Sequence, residues 1–224
     1  MNTIAELCAE IHRLCNILPT FKEPSEVPFS NGLCIFYEKG EASVHAPSGR
    51  IVRVGNHPRS QNGLKRRLIL HYSGNKNSSV FRKFLGGAIL RKADPHHVCL
   101  LPVPGQGHWE KQDMHTCEKC QPIEIEASKV LRGSFWFRCI EIDGKNLRDT
   151  YEKKLVATIS LCCICKPSGS WLGKSAYSKN VRCSGLWNSR YVFDRTLILS
   201  AMELKTLERL IASTSRVWKG PLET

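Results

Sequence analysis

At the start of the chain, apolar residues recur at helical intervals: Ile4, Leu7, Cys8, Ile11, Leu14, Cys15 and Leu18. That spacing predicts an amphipathic helix over 3–17. Pro19, Pro24 and Pro28 follow, and because each disfavours helical backbone in the residue before it, they predict an extended connector. Gly32-Leu33-Cys34-Ile35-Phe36-Tyr37-Glu38 then reads as a strand, and the short, β-branched stretch at 50–56 as a second. A polar loop through Pro47-Ser48-Gly49 joins them.

Gly63 sits near the start of a helix predicted to run to about Tyr72. Ser73 to Ser79 ends that helix and supplies an N-cap for a basic one over 79–92, whose apolar face is Phe81, Phe84, Leu85, Ala88 and Ile89. From Asp94 to Pro122 the pattern is irregular, with Pro95, Pro102, Pro104, Gly105 and Gly107, and predicts a loop insertion, placed at 94–130. Phe135 to Ile142 reads as a third strand, and a helix over about 146–160 carries Glu152. Trp171-Leu172-Gly173 and Ser184-Gly185-Leu186-Trp187-Asn188 read as loops packed on the core. Leu199, Met202, Leu204, Leu207, Leu210 and Ile211 give a last helix over 198–213. There are no internal repeats, and the order of elements is that of a mixed α+β fold. We divide the chain into an N-terminal helix and connector (1–28), a core (29–165) and a C-terminal extension packed on it (166–224).

A chain of 224 residues with 42% hydrophobic content can fill one core. The formal net charge of +13 changes the picture, because neutralising phosphates releases condensed counterions and so favours polyanionic partners. No apolar run approaches the ~20 residues of a membrane span, and the first residues lack a secretory profile. Eleven cysteines are expected to be reduced in a cytoplasmic protein, with Cys34, Cys99 and Cys139 acting as small hydrophobes.

Arg67 and His71 are four apart and share a helix face. An Arg there can hold a phosphate, and a His can orient one or shuttle a proton; both also fit a solvated basic face beside Lys65 and Arg66. Glu152 is a lone carboxylate suited to Mg²⁺, or to pairing with Lys153 or Lys154. Cys117-x-x-Cys120 has the inner spacing of half a zinc site; His108, His115 or Cys162, Cys163 and Cys165 would have to complete it, and a reduced loop pair is the plainer alternative. Cys162 to Cys165 continue an apolar helix end and are expected in the core. Arg82, Lys83, Arg91, Lys92, Lys174, Lys179, Arg182 and Arg190, with Trp171, Tyr177 and Trp187 among some of them, suit nucleic-acid binding.

Gly32-Leu33-Cys34, Arg53-Val54-Gly55, Arg67-x-x-x-His71 and Glu152, in that order, resemble the motifs of the GIY-YIG nuclease superfamily. Gly32–Glu38, Arg50–His57 and Leu64–His71 look most like a bacterial branch with restriction- and homing-endonuclease-like members. Ser79-Val80-Phe81-Arg82 and the two Trp-containing stretches are similar to it as well. The resemblance covers roughly 29–210, with a poor fit over 94–130. It implies a small three-stranded antiparallel sheet flanked by helices, and a DNA endonuclease that needs one Mg²⁺ or Mn²⁺. By that likeness Arg67 contacts the scissile phosphate, His71 supports it, Glu152 holds the metal and His57 assists the attacking water. Where the first motif has a tyrosine this chain has Cys34, and at the second-motif tyrosine it has Arg53. Tyr37, three residues along the strand, is expected on the opposite face. Asn188 is a candidate for the family's late asparagine. A relative that binds DNA without cutting it is the alternative.

Overall fold

The structure, a computed structural model, describes residues 3–57, 63–100, 109 and 118–218. Its sheet is built from β1 (Gly32–Glu38), β2 (Ile51–Gly55) and β3 (Phe135–Glu141) in the order β2-β1-β3, with both pairings antiparallel. Every residue of β1 and β2 is buried, so helices must cover both faces. On one side Leu33, Ile35 and Tyr37 meet α1 (Ile4–Cys15), α5 (Lys145–Leu161) and α7 (Ala201–Val217) through Ile11, Leu14, Leu155, Ile159, Leu207 and Ile211. On the other side Cys34, Phe36 and Phe137 meet α2 (Gly63–Ser73), α3 (Val80–Ala93) and α4 (Gln121–Ser134) through Leu68, Tyr72, Phe81, Leu85 and Leu131. This is the α+β fold that the order of elements predicts.

The register slips between Phe36 and Tyr37, which pair with Arg53 and Ile51. The extra residue in β2 is a bulge. It puts Ile51 and Val54 in the first helix layer while Val52 joins the second, where Arg53 lies over the Phe81 ring. Simple alternation would have sent Ile51 and Val54 to opposite faces.

The helix ends follow local chemistry. Thr3 and Glu6 form a capping box on α1, Ser200 and Glu203 do the same on α7, and Ser79 caps α3. A correction to the expected elements is α4, most of which (121–130) lies in the stretch read as a loop insertion. Its start is a proline, Pro122, in the first turn, where the missing N–H costs nothing; read without structure, the same residue looks like a breaker. Among the described residues no helix is long and apolar enough to cross a membrane.

Segments of the chain cover both sheet edges. Phe21 pairs with Phe137 on the β3 side through two bonds of 2.8 and 2.9 Å. On the β2 side the Trp187 N–H donates to Val52 O (2.7 Å), and the Asn188 amide accepts from Val54 N (3.0 Å) and donates to Val54 O (2.8 Å). The C-terminal extension is held there by two buried carboxylates. Glu38 Oε2 accepts both indole N–H groups, from Trp171 at 2.9 Å and Trp187 at 3.0 Å. Glu41 Oε2 accepts from Arg50 Nη2 at 2.7 Å and from the Ser168 amide at 3.1 Å.

Removing one partner of a buried ion pair leaves the other charge without compensation, which costs about 3–5 kcal/mol. Glu41→Ala should lower the unfolding free energy by about that amount in urea titration. Lys145→Ala, which removes an exposed pair with Asp149 at 2.6 Å, should cost at most about 0.5 kcal/mol. Equal losses would contradict this account of how the extension is anchored.

Candidate active site

Between the second helix layer, the β2 edge and α5 lies a cleft of about 410 Å³, lined by Arg53, Arg67, Lys83, Glu152, Asn188 and Arg190, with Val80, Phe84, Tyr177, Ser189 and Tyr191. Four of these carry positive charge and one negative. Three of the residues singled out in the sequence, Arg53, Arg67 and Glu152, converge here from β2, α2 and α5.

Arg53 donates from Nη1 to Trp187 O at 2.6 Å, and its guanidinium carbon is 4.8 Å from the centre of the Phe81 ring. Its buried Nε makes no hydrogen bond among the described residues. Burial and then the neighbouring Arg67 bring its pKa down to about 10, so it stays charged at neutral pH. Arg67 is half-buried and donates from Nη1 to Ser78 O at 3.1 Å; burial lowers its pKa, and Glu152 opposes the shift. Burial raises the pKa of Glu152, which Arg53, Asn56 and Arg67 counteract. That mutual influence puts the carboxylate and both guanidiniums in one electrostatic unit.

His71 and His57 do not line the cleft. His71 is buried behind Arg67, with Nδ1 2.7 Å from Ser79 Oγ and its ring edge-on to Phe36 and Phe81. It supports the cap of α3. His57 is also buried, and its Nε2 accepts the Gly32 N–H at 3.2 Å, so it fixes the start of β1. Cys34 is 3% exposed and packs its sulfur 3.1 Å from Cys139 Sγ, below the cleft rather than in it. Tyr37 lies in the opposite layer, stacked on Trp136, as the strand period requires.

The basic residues divide in the same way. Lys83 and Arg190 reach the cleft. Lys174 and Arg182 are exposed outside it, with Arg182 donating to Ala176 O and Tyr177 O at 2.6 Å each. Arg82 is a correction: at 1% exposure it is an internal strut. Its guanidinium bonds Glu124 Oε2 (2.7 Å), Ser128 Oγ (3.0 Å) and His71 O (3.1 Å), so it cannot reach a phosphate. The cleft also contains Ser189, Tyr177 and Tyr191, of which only Tyr177 was singled out. Tyr191 adopts a left-handed φ of 64°, which no sequence pattern announced; the Leu-Trp-Asn stretch just before it was the only pointer. Asn188 lines the cleft too, but the Val54 backbone uses both ends of its amide.

A divalent ion was expected at Glu152. Among the described residues no thiol or imidazole lines the cleft, and one carboxylate beside the Ser189, Tyr177 and Tyr191 hydroxyls is a hard-donor set that suits Mg²⁺ or Mn²⁺. The residues present fit such an ion. Of the other cluster, His108, His115 and Cys117 lie outside the described residues. Cys120 is buried, 3.6 Å from Cys99 Sγ.

Among comparisons with known proteins, a family model described as the GIY-YIG domain matches residues 4–217. No curated protein and no solved structure matches the chain.

Burial, with Arg53, Arg67 and Arg82 nearby, holds the His71 pKa well below 6.5. In the unfolded chain His71 protonates near ~6.5, so below that value the unfolded state binds more protons and stability falls with pH. The Tm should therefore drop between about pH 7.5 and about pH 5.5. The drop should be smaller in His71→Gln; an equal drop in both proteins would contradict a neutral buried His71.

Proposed function

This chain belongs to the GIY-YIG domain family, whose members are generally nucleases, and we propose that it is a divalent-metal-dependent DNA endonuclease that hydrolyses phosphodiester bonds. The observation that carries the reading is the meeting of Arg67 and Glu152, from α2 and α5, with Arg53 in one cationic cleft. A cleft with four cations and one carboxylate is matched to a bound polyanion and a small hard ion.

Glu152 would hold the Mg²⁺ or Mn²⁺. When bound, that ion stabilises charge on the leaving oxygen and on phosphorus. Arg67 presents its guanidinium to the scissile phosphate and offsets the charge that develops in the transition state. Arg53 supplies a second guanidinium that cannot rotate away, because Trp187 O and the Phe81 face hold it. Lys83 and Arg190 contact flanking phosphates and set register on the strand rather than sequence. Positioning falls to the buried histidines: His71 holds the α3 cap, and His57 joins β1 to the end of β2. Cys34 takes no part in the reaction, and Tyr177 and Tyr191 put two phenols on the cleft wall instead.

Purified protein with Mg²⁺ or Mn²⁺ should nick supercoiled plasmid. Arg67→Ala should lower the rate by about 10²–10³-fold, the usual effect of losing one charge-stabilising donor, and Glu152→Ala should abolish it. Cys34→Ala should stay within a few-fold of wild type. Salt-dependent DNA binding with no nicking in either metal would replace this reading with that of a DNA-binding relative. Loss of activity in Cys34→Ala with the fold intact would return the reaction to position 34.

Lys83→Ala and Arg190→Ala should each weaken DNA binding uniformly across sequences and reduce the slope of log affinity against log salt by about 1. Variants with an unchanged slope would place these side chains off the nucleic-acid path.

A further inference from the structure

Away from the cleft, residues from three parts of the chain meet against α1. Cys8 and His12 are four apart on that helix and share a face. His45 comes from the loop between β1 and β2. Cys162 follows the last turn of α5, and Cys165 stands at a C-x-x-C spacing from it. The sequence pattern assigns Cys162 to Cys165 to the core; the fold buries Cys162 and Cys165, with Cys8, at 1%, 6% and 0% exposure, but leaves Cys163 and Ile164 exposed between them. It also gathers their sulfurs around imidazole nitrogens, which thiols packed as hydrophobes do not need.

The dimensions are those of a metal site. His45 Nε2 is 3.4 Å from Cys162 Sγ. The ligand atoms of Cys8, His45 and Cys162 all lie within 4.8 Å of one another, and a second trio, Cys8, His12 and Cys165, shares Cys8 with it, so the Cys165 sulfur must turn from His12 toward His45 and Cys162 to complete one tetrahedron. A tetrahedral zinc ion with Zn–S of ~2.3 Å and Zn–N of ~2.0–2.1 Å implies S–S edges of ~3.8 Å and S–N edges of ~3.6 Å.

Two imidazoles compete for the fourth position. His12 touches two of the thiols, with Nε2 3.8 Å from Cys165 Sγ and Nδ1 3.7 Å from Cys8 Sγ, but both nitrogens are already engaged by the backbone, Nδ1 at 2.9 Å from Cys8 O and Nε2 accepting the Ile51 N–H at 3.3 Å. One donating and one accepting nitrogen complete the bonding of a neutral ring. His45 instead turns Nε2 to the thiols, while its backbone N–H donates to Ser43 Oγ at 3.0 Å and steadies the loop.

We propose that Cys8, His45, Cys162 and Cys165 form a structural zinc site that ties α1, the β1–β2 loop and the end of α5 together. Three thiolates and one imidazole select zinc over the hard ion suited to Glu152, and binding releases the three thiol protons to solvent. Cys162 lies ten residues beyond Glu152 on α5 and its cap, about 15 Å along the axis, so the ion holds the fold and does not reach the cleft. His12 packs beside it and keeps the Cys8 turn in place.

Elemental analysis of the full chain, purified without chelator, should find one zinc per chain, lost in Cys165→Ser and in His45→Ala but kept in Cys117→Ser. Cobalt substitution of the Cys117→Ser protein should give the visible bands of a tetrahedral ion with charge transfer from three thiolates. That spectrum decides the matter if the other variants fail to fold. Chelator should lower the wild-type Tm, and added zinc should restore it. A chain that carries no zinc, gives no cobalt bands and shows no Tm response to zinc overturns the proposal. So does zinc that stays in Cys165→Ser and leaves in Cys117→Ser. None of these readouts depends on nuclease activity.

Discussion

Two carboxylates near the end of β1, Glu38 and Glu41, decide where the last quarter of the chain must go. A buried carboxylate is tolerated only with its hydrogen bonds made. Apart from Arg50, the partners of this pair are remote: Ser168, Trp171 and Trp187. Satisfying them draws the segment after Pro167 across the sheet end and down the open side of β2. Asn188 then pairs with Val54 like one more strand residue. Only after that pairing do Ser189, Arg190 and Tyr191 stand opposite Arg67. The wall of the cleft thus depends on acids at the far end of the sheet, which never touch a ligand.

The net charge overstates the surface available to a polyanion. Arg50, Arg82, Arg138 and Arg148 are all nearly buried. Arg138 bonds carbonyls at the end of α1, including Asn16 O at 2.7 Å. Arg148 donates to Ile142 O at 2.9 Å and Asp143 O at 2.6 Å, where β3 turns into α5. Guanidinium is suited to such work because its five planar donors can serve several carbonyls at once. Arg82 and Arg67 differ in this respect: one is saturated by Glu124, and the other faces open space with a carboxylate nearby.

The strands and most helices were legible because their patterns are local. The run at 32–38 is uniformly apolar up to Glu38, and Thr3, Ser79 and Ser200 cap their helices through neighbours three residues away. The bulge in β2 was not legible, since it answers to packing on two faces at once. Nor was α4, which Pro122 disguised. Arg67 and Glu152 could be named because of their order among the motifs, but not their distance in space. His57, His71 and Arg82 show the limit of that reading. Their residue types suit chemistry, yet burial gives them hydrogen bonds that hold β1, the α3 cap and α4. Cys34, which stands where the first motif has a tyrosine, is part of the packing between β1 and β3.

The pairing of Asn188 with Val54 spans 134 residues and so has a consequence in time. Contacts this distant close late, because the entropy of the intervening loop must be overcome first. During synthesis the elements bearing Arg53 and Arg67 emerge long before the segment that encloses them. A growing chain therefore displays its basic groove half-built, with no opposing wall, until Ser189, Arg190 and Tyr191 have followed.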